Sequence, residues 1–301
     1  MPVRAGVEAR ALETVPGGRR LVLADGTRPR HELVVVADGS RSALAGQVAP
    51  RKVVPYPWGA LFFVGPYPDT LELQQIARGA RTFMGVLPMG GGRASLFWSL
   101  RADRLPSWRA GFDGWRRTAS RSGRTRGPLV DAIGGPDEVL FAPYFDVRMK
   151  RWHGDRAVAI GDAAHATSPQ LGQGSNLALW DALALSEALA AEPDVDRALA
   201  LYGARRRRHL AYYQRATRWL TPFFQGDSRF LGWVRDWAFP LGQKLGPVRR
   251  LMRRARWLAP RRDSSVPASR CPGPGPEAPL PRPADDPARP VQMTSLYKET
   301  T

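Results

Sequence analysis

Short apolar runs of strand length alternate with longer apolar segments of helical length along this chain. Residues 33–37 and 157–160 have the length and composition of buried strands. Each run leads directly into an aspartate beside a glycine, and residues 172–189 then form a segment that is apolar on almost all sides of a helix. Pro193 ends that helix. This order of strands and helix predicts an α/β fold.

Between these two strands the pattern changes to short β-type runs that Gly and Pro turns separate, which predicts several antiparallel strands. The runs cover residues 60–64, 71–74, 82–86 and 94–98. Four of their side chains are candidates for lining an apolar substrate pocket, although a place in the core of the sheet is commoner for any one: Phe63, Met84, Phe97 and Trp98. Alternation puts Phe97 and Trp98 on opposite faces, so at most one of them faces a substrate.

Helical spacing also occurs outside the region of the two apolar strands. Residues 106–120 predict a helix with Trp108, Phe112 and Trp115 on one face. After Pro193, the same spacing resumes over residues 199–224. We therefore expect mixed α and β structure overall.

The stretch with the most chemistry follows the second buried strand. Gly161 and Asp162 place a carboxylate where residues 157–160 end, and a glycine-rich turn opens the next helix. Free N–H groups at a helix start, together with the helix dipole, favour an anionic or electron-rich ligand. Spacing alone fits an ordinary strand–loop–helix connection equally well, because glycine-rich turns are common.

The full string is more specific than its spacing. The matching positions are Gly161, Asp162, Ala163, Ala164, His165, Pro169, Gly172, Gly174 and Asn176. They resemble the second flavin-binding motif of the class A flavoprotein monooxygenases, the p-hydroxybenzoate hydroxylase-like or ubiquinone hydroxylase-like family. The resemblance implies that Asp162 hydrogen-bonds the ribityl chain of FAD. It also implies that loop and helix-start amides face the flavin pyrimidine edge, around Leu171, Gly172, Gln173, Gly174, Ser175 and Asn176. For His165 we favour a role in holding the loop over acid–base chemistry.

An earlier Asp-Gly pair supports this interpretation. Asp38 and Gly39 follow the first buried strand, and residues 37–42 resemble the family's ADG-x-x-S motif. The resemblance implies that this pair lies near the cofactor pyrophosphate and the nicotinamide nucleotide. Asp-Gly between apolar runs is also a strong hairpin signal, which is how we interpret Asp25-Gly26. The Asp38-Gly39 pair differs from Asp25-Gly26 because residues 40–44, which follow it, can start a helix.

The family's first unit, a strand, a Gly-x-Gly-x-x-Gly turn and a helix that bind the ADP half of FAD, has no counterpart in this sequence. On this interpretation the chain starts late, is truncated, or has its missing half supplied by another chain. We predict an incomplete Rossmann-like FAD-binding domain with an inserted antiparallel-sheet substrate domain and C-terminal helices. The predicted segments are 1–50 and 150–192 for the FAD-binding domain, 51–149 for the substrate domain, 193–262 for the C-terminal helices and 263–301 for a disordered tail.

Composition restricts the cellular compartment and the classes of binding partner that we expect for this protein. The single cysteine, Cys271, allows no intrachain disulfide, which fits a reducing compartment. There is neither a signal peptide nor an apolar run of about 18 residues that would span a membrane, so we expect a cytoplasmic protein. The net charge of +18 rests almost entirely on arginine, and no nucleic-acid motif accompanies it. We therefore expect no nucleic-acid partner.

An arginine- and tryptophan-rich stretch, residues 199–258, has the composition of a segment that lies on a membrane surface. Pro and Gly residues break it into short pieces, and we favour helices packed on the flavin domain. Peripheral membrane contact stays open, as does the oligomeric state.

The resemblance implies an FAD-dependent monooxygenase, or hydroxylase, that uses NAD(P)H and dioxygen on an aromatic or polyketide-like small molecule. The flavin carries the chemistry, so we nominate no catalytic acid or base and no metal site. One alternative is an N-terminally truncated family fragment without catalysis. Another is a different flavin-dependent oxidoreductase, although the halogenase signature Trp-x-Trp-x-x-Ile is absent from the sequence.

Overall fold

A computed structural model describes most of the first 234 residues: 3–68, 73–78, 82–121, 127–228 and 230–234. The chain divides into two compact units at Pro260, and only the first unit contains described residues. The predicted tail at 263–301 and most of the predicted helical region beyond residue 228 therefore lie outside the described residues.

The first sheet is a three-stranded antiparallel sheet in the order β1-β2-β3, with β1 at Ala9–Val15, β2 at Gly18–Leu23 and β3 at Arg30–His31. Gly26 lies in the tight turn after β2 with a φ of +83°, where its amide donates to the carbonyl of Leu23 at 3.1 Å. The interpretation of Asp25-Gly26 as a plain turn is confirmed.

The second sheet contains the parallel pair on which the α/β prediction depends. Its order is β10-β11-β4, with β4 at Val34–Val36, β10 at His153–Gly154 and β11 at Ala157–Ala159. In the parallel register Ala157 lies opposite Val34 and Ala159 lies opposite Val36. Both strands therefore end at the same edge of the sheet.

The third sheet is five-stranded and antiparallel, in the order β6-β7-β8-β5-β9. Its strands are β5 at Arg51–Pro66, β6 at Gln74–Arg78, β7 at Thr82–Gly90, β8 at Arg93–Arg101 and β9 at Leu140–Met149. The sheet lies in the sequence between β4 and β11, as an inserted antiparallel sheet should. The predicted fold class is confirmed, whereas the exact domain boundaries remain a prediction.

Three short helices follow β8: α2 at Leu105–Ala110, α3 at Phe112–Arg121 and α4 at Gly127–Asp131. The predicted single helix over 106–120 is therefore interrupted at Gly111, where a residue of low helix propensity ends α2. Trp108 and Trp115 pack with ring centroids 5.4 Å apart, and Phe112 contacts both rings. Their predicted common face is confirmed.

The two faces of the large sheet have different neighbours. Trp98 packs edge-on against Trp115 of α3, with ring centroids 5.4 Å apart. The sheet face that carries Trp98 therefore lies against the helices. Phe97 instead packs against Phe83 at 5.4 Å, on the other face. Met84 lies opposite Trp98 on the neighbouring strand and so shares its sheet face. Phe63 packs in the core between this face and the helices. Of the four pocket candidates, only Phe97 points away from that core.

Four further helices are α1 at Ala45–Val48, α5 at Asp162–His165, α6 at Gly174–Ala191 and α7 at Val195–Phe224. The last begins before the predicted residue 199, because the side chain of Asp194 caps it by accepting from the amide of Arg197 at 2.9 Å. Among the described residues, no helix has the length and apolar character needed to cross a membrane.

Candidate functional site

The parallel pairing of β4 and β11 brings the two aspartate-glycine motifs together. Because parallel strands end at the same edge, Asp38 and Asp162 both follow their strands on one side of the sheet, Asp38 in a loop and Asp162 at the start of α5. The amide of Ile160 donates to the carbonyl of Val36 at 3.0 Å and extends this pairing to the first residue of the second loop. Both aspartates are exposed, so the edge presents two carboxylates to solvent.

The Asp38 loop is not a hairpin turn, since β4 has a parallel partner and the chain continues into α1. Gly39 takes a φ of +87°, and its carbonyl accepts from the amide of Ser42 at 3.0 Å. The hydroxyl of Ser42 then accepts from the amide of Ala45, the first residue of α1, at 2.8 Å. Arg51, the first residue of β5, donates to the carbonyls of Ser40 and Ser42 and braces the loop from the outside.

The Asp162 turn depends on Gly161. This glycine has a φ of +59° and a ψ of −143°, a conformation that residues with a side chain rarely adopt. Its amide donates to Oδ2 of Asp181 at 2.9 Å. The turn then continues into the four-residue helix α5, which leaves Asp162 exposed and buries His165.

The start of α6 lies beside Asp162. A side chain at Gly174 would begin 3.9 Å from a carboxylate oxygen of Asp162. Residues Pro169–Leu171 form a single 3-10 turn, and Gly172 follows in the left-handed region with a φ of +59°. No side chain caps α6 at Gln173, and its first turn is exposed: Gly174, Ser175 and Asn176. The first amides of the helix are therefore free to face a ligand.

These features fit a flavin nucleotide, because an uncapped helix start suits the electron-rich pyrimidine edge and a nearby carboxylate suits the ribityl hydroxyls. Asp162 thus lies beside Gly174 at the start of α6, and Gly161, which precedes it, is buried. Asp38 and Gly39 lie at the same edge of the sheet, one strand away.

Behind the turn lies a hydrogen-bonded group of five residues, four of them buried and His209 half-buried, which we call the Asp181 cluster: Gly161, His165, Asp181, Arg206 and His209. Asp181 and Arg206 are both 0% exposed. Nε of Arg206 donates to Oδ1 of Asp181 at 2.7 Å, while Nε2 of His165 donates to Oδ2. Arg206 also donates through Nη2 to the carbonyl of Leu177 at 3.2 Å and contacts Nδ1 of His209 through Nη1.

Two side chains of the cluster, Asp181 and His209, have shifted pKa values. Burial alone would raise the pKa of Asp181, but the hydrogen bond from His165, the charge of Arg206 and the Gly161 amide outweigh it and lower that pKa. Burial, followed by the charge of Arg206, lowers the pKa of His209 to about 4. At neutral pH His209 is therefore uncharged and accepts from Arg206. The position of His165, inside the core against Asp181, agrees with a role in holding the loop.

The far end of α7 contacts the loop before α6. The hydroxyls of Ser168 and Thr221 lie 2.6 Å apart, and Nε2 of Gln170 donates to Oε1 of Gln225 at 2.8 Å. Nε of Arg218 donates to the buried carboxylate of Asp146 in β9 at 3.0 Å. One helix thus connects the Asp181 cluster, the loop and the large sheet.

The arrangement of a short mixed sheet with one parallel pair of strands, two aspartate-glycine motifs and a glycine-opened helix defines a nucleotide-binding α/β fold. A family model described as FAD binding domain matches residues 4–217, and the chain belongs to that family. The resemblance to the class A flavoprotein monooxygenases is thereby confirmed.

Two curated relatives bear monooxygenase or hydroxylase names. The chain is 27% identical over 243 residues to "Aurachin C monooxygenase/isomerase" of Stigmatella aurantiaca, a match that covers 77% of this chain and 61% of the relative. It is 29% identical over 256 residues to "Ubiquinone hydroxylase UbiL" of Rhodospirillum rubrum, covering 79% of this chain and 57% of the relative. The matches therefore span about six-tenths of the length of these relatives.

Among solved structures, the chain is similar to HpxO of Klebsiella pneumoniae in complex with FAD and uric acid. The TM-score is 0.67 at 21% sequence identity, and the match covers 83% of this chain and 65% of the other. At this identity the likeness establishes the fold.

Sequence reasoning did not identify three residues that shape the site: Arg51, Asp181 and Arg206. For Asp181 a signal was present, since it is one of only two acidic residues in the apolar segment that forms α6. Arg206 was visible only as part of a four-arginine run. Nothing in the sequence indicated which arginine would be buried.

Proposed function

We propose that this chain forms the flavin-facing part of an FAD-dependent monooxygenase. On this proposal it oxidises an aromatic or polyketide-like small molecule with NAD(P)H and dioxygen. The observation that carries the proposal is the common edge at which Asp38, Asp162 and the uncapped start of α6 lie. The family membership and the names of the relatives support it.

In this proposal Asp162 binds the ribityl hydroxyls and the amides of residues 171–176 hold the pyrimidine edge. Asp38 and Gly39 lie toward the pyrophosphate. Bound FAD would supply the activation of dioxygen. The protein binds the FAD, orients it and shields it from water. The aromatic face of the large sheet supports an apolar ring as substrate, because Phe83 lies between Phe97 and Phe224, with ring centroids 5.4 and 5.9 Å away.

We expect Asp162→Ala to weaken FAD binding by about tenfold to a hundredfold, since a hydrogen bond to a charged group contributes roughly 1.5–3 kcal/mol. The measurement is a fluorescence titration of the purified chain with FAD. Asp113→Ala is the matched control, because Asp113 is also an exposed acid in the first turn of a helix, α3, but far along the chain from the site. Equal affinities for all three proteins would remove Asp162 from the site.

The same titration separates the enzyme from the alternative of an inactive fragment. A chain that retains FAD after removal of the excess, and then oxidises NAD(P)H, supports the monooxygenase. A colourless chain with no measurable affinity supports a fragment without catalysis. NAD(P)H oxidation without oxygen transfer to any aromatic acceptor would favour another flavin-dependent oxidoreductase.

We also propose that one face of α7 contacts a membrane surface peripherally. From Arg197 to Gly226 the chain has seven arginines and no acidic residue. Arg208, Tyr212, Arg215 and Trp219 line one open cleft of about 630 Å³ along α7, and Trp219 is 67% exposed. Beyond the helix, the exposed rings of Phe230 and Trp233 stack at 6.2 Å. Exposed aromatic rings beside arginines are typical of the interface with anionic lipid.

If this face binds lipid, Arg208→Glu combined with Arg215→Glu should lower binding to phosphatidylglycerol-containing vesicles by about thirtyfold or more, because each basic residue near the surface contributes roughly 1 kcal/mol. Co-sedimentation with phosphatidylcholine vesicles, with and without phosphatidylglycerol, measures this. The control reverses two exposed arginines elsewhere, Arg109 and Arg117. Equal binding by both variants, or none by the parent chain, would refute the contact.

A further inference from the structure

The Asp181 cluster lies directly behind the turn that presents Asp162, and α6 and α7 are joined through it. We propose that Asp181 and Arg206 are positioning residues for the FAD site: their buried ion pair holds the Gly161–His165 turn in the conformation that aims Asp162 at the cofactor. This inference rests on the proposed role of Asp162 in binding FAD.

The turn needs a support of this kind. Gly161 adopts a conformation outside the usual helical and extended regions, and α5 is only four residues long. A helix of one turn has no stability of its own, because its nucleation cost is not repaid. Its two ends are instead fixed by Asp181, whose Oδ2 accepts from the Gly161 amide at 2.9 Å and from Nε2 of His165.

Arg206 holds the other side of the same carboxylate and reaches the start of α6. Its Nε donates to Oδ1 of Asp181 at 2.7 Å, and its Nη2 donates to the carbonyl of Leu177 at 3.2 Å. Leu177 follows Asn176, the last of the predicted flavin-facing residues. One guanidinium therefore fixes both halves of the site, the Asp162 turn and the first turn of α6.

The choice of charged residues supports positioning over stability. Well-packed apolar side chains in place of a buried ion pair are often neutral or stabilising, because the desolvation cost of two charges is large. Apolar side chains would not accept from the Gly161 amide or fix the direction of His165. The carboxylate and the guanidinium offer hydrogen bonds of fixed geometry at three points of the site, the Gly161 amide, His165 and the Leu177 carbonyl.

The test is a double-mutant cycle on FAD affinity. One arm is Asp162→Ala, and the other is the neutral pair Asp181→Asn with Arg206→Met, which removes both charges together. If the pair acts through Asp162, the neutral pair should weaken FAD binding by about tenfold in the parent chain and by less than about twofold in the Asp162→Ala chain. The control pair is Glu187→Gln with Arg205→Met, which also joins α6 to α7 but at the surface.

A loss of affinity by the same factor in both backgrounds would overturn the proposal, since the pair would then act on stability alone. So would an unchanged affinity in the neutral-pair variant. If Asp162→Ala itself leaves FAD binding unchanged, the proposed role of Asp162 fails first, and the positioning role fails with it. An additive result with a functional Asp162 refutes the positioning role only.

A milder substitution covers the case in which the neutral pair does not fold. Arg206→Lys keeps the charge but lacks the planar fork that reaches Asp181 and Leu177 together. We expect faster amide hydrogen exchange in the peptide spanning residues 160–166, measured without FAD, while α7 stays protected. Unchanged exchange in that peptide would overturn the proposal.

Discussion

Arg206→Met should destabilise the fold by about 3–5 kcal/mol, because it leaves the carboxylate of Asp181 buried without its ionic partner. Both side chains are fully buried, so water does not replace the lost guanidinium. Against a typical total stability of roughly 5–15 kcal/mol, this loss is large enough to unfold a marginal domain. Urea denaturation followed by circular dichroism measures it.

The neighbouring residue provides the control. Arg205 pairs with Glu187 at 3.8 Å, and 31% and 52% of the two side chains are exposed. Arg205→Met should therefore cost at most about 1 kcal/mol. Addition of Asp181→Asn to Arg206→Met should restore much of the stability, since no unpaired charge remains. Similar losses for Arg205→Met and Arg206→Met would contradict the assignment of Arg206 as the buried partner.

Gly161→Ala should weaken FAD binding by about tenfold to a hundredfold, as Asp162→Ala does, while the chain still folds. The φ and ψ of Gly161 cost a residue with a side chain about 1–3 kcal/mol, and the new methyl group would lie 3.1 Å from Cβ of Ala178 in α6. Relief of both requires the turn to move, and Asp162 moves with it. Titration with FAD, together with the urea midpoint of the chain without cofactor, gives the two quantities.

Gly26→Ala separates backbone strain from damage to the site. Gly26 has a φ of +83° in the plain turn after β2, with open space where a side chain would stand. It should lower stability by a similar strain energy and leave FAD affinity unchanged. Parallel losses of affinity in both variants would mean that general destabilisation, and not the Asp162 turn, governs binding.

The sequence predicted the parts of the fold that depend on local pattern. The strands at 33–37 and 157–160 are present as β4 and β11, with each aspartate following its strand as expected. The lengths of the strands were predicted less well. Residues 60–64 predict a short strand, but β5 extends from Arg51 to Pro66. Prolines at 55 and 57 are unfavourable inside a strand, yet the ladder is irregular between Pro55 and Gly59, where a missing N–H is tolerated.

The buried ion pair between Asp181 and Arg206 could not be predicted from the pattern of the sequence. Asp181 and Arg206 are 25 residues apart, on two helices whose relative placement is a tertiary result. Four consecutive arginines, 205–208, look alike in sequence, and only the packing of α7 on α6 selects the second of them for burial. The predicted flavin-facing residues were recognisable because their spacing is local, whereas Asp181 and Arg206 are distant from each other in the sequence.

The Asp181 cluster also limits how the length of this protein can vary over evolution. Asp181 lies seven residues beyond Gly174, about two turns into α6. Insertion or deletion of one residue between them would rotate the carboxylate by about 100° around the helix axis, away from His165 and Arg206. Insertions and deletions should therefore accumulate in the loops that flank α6 and be purged from its first two turns.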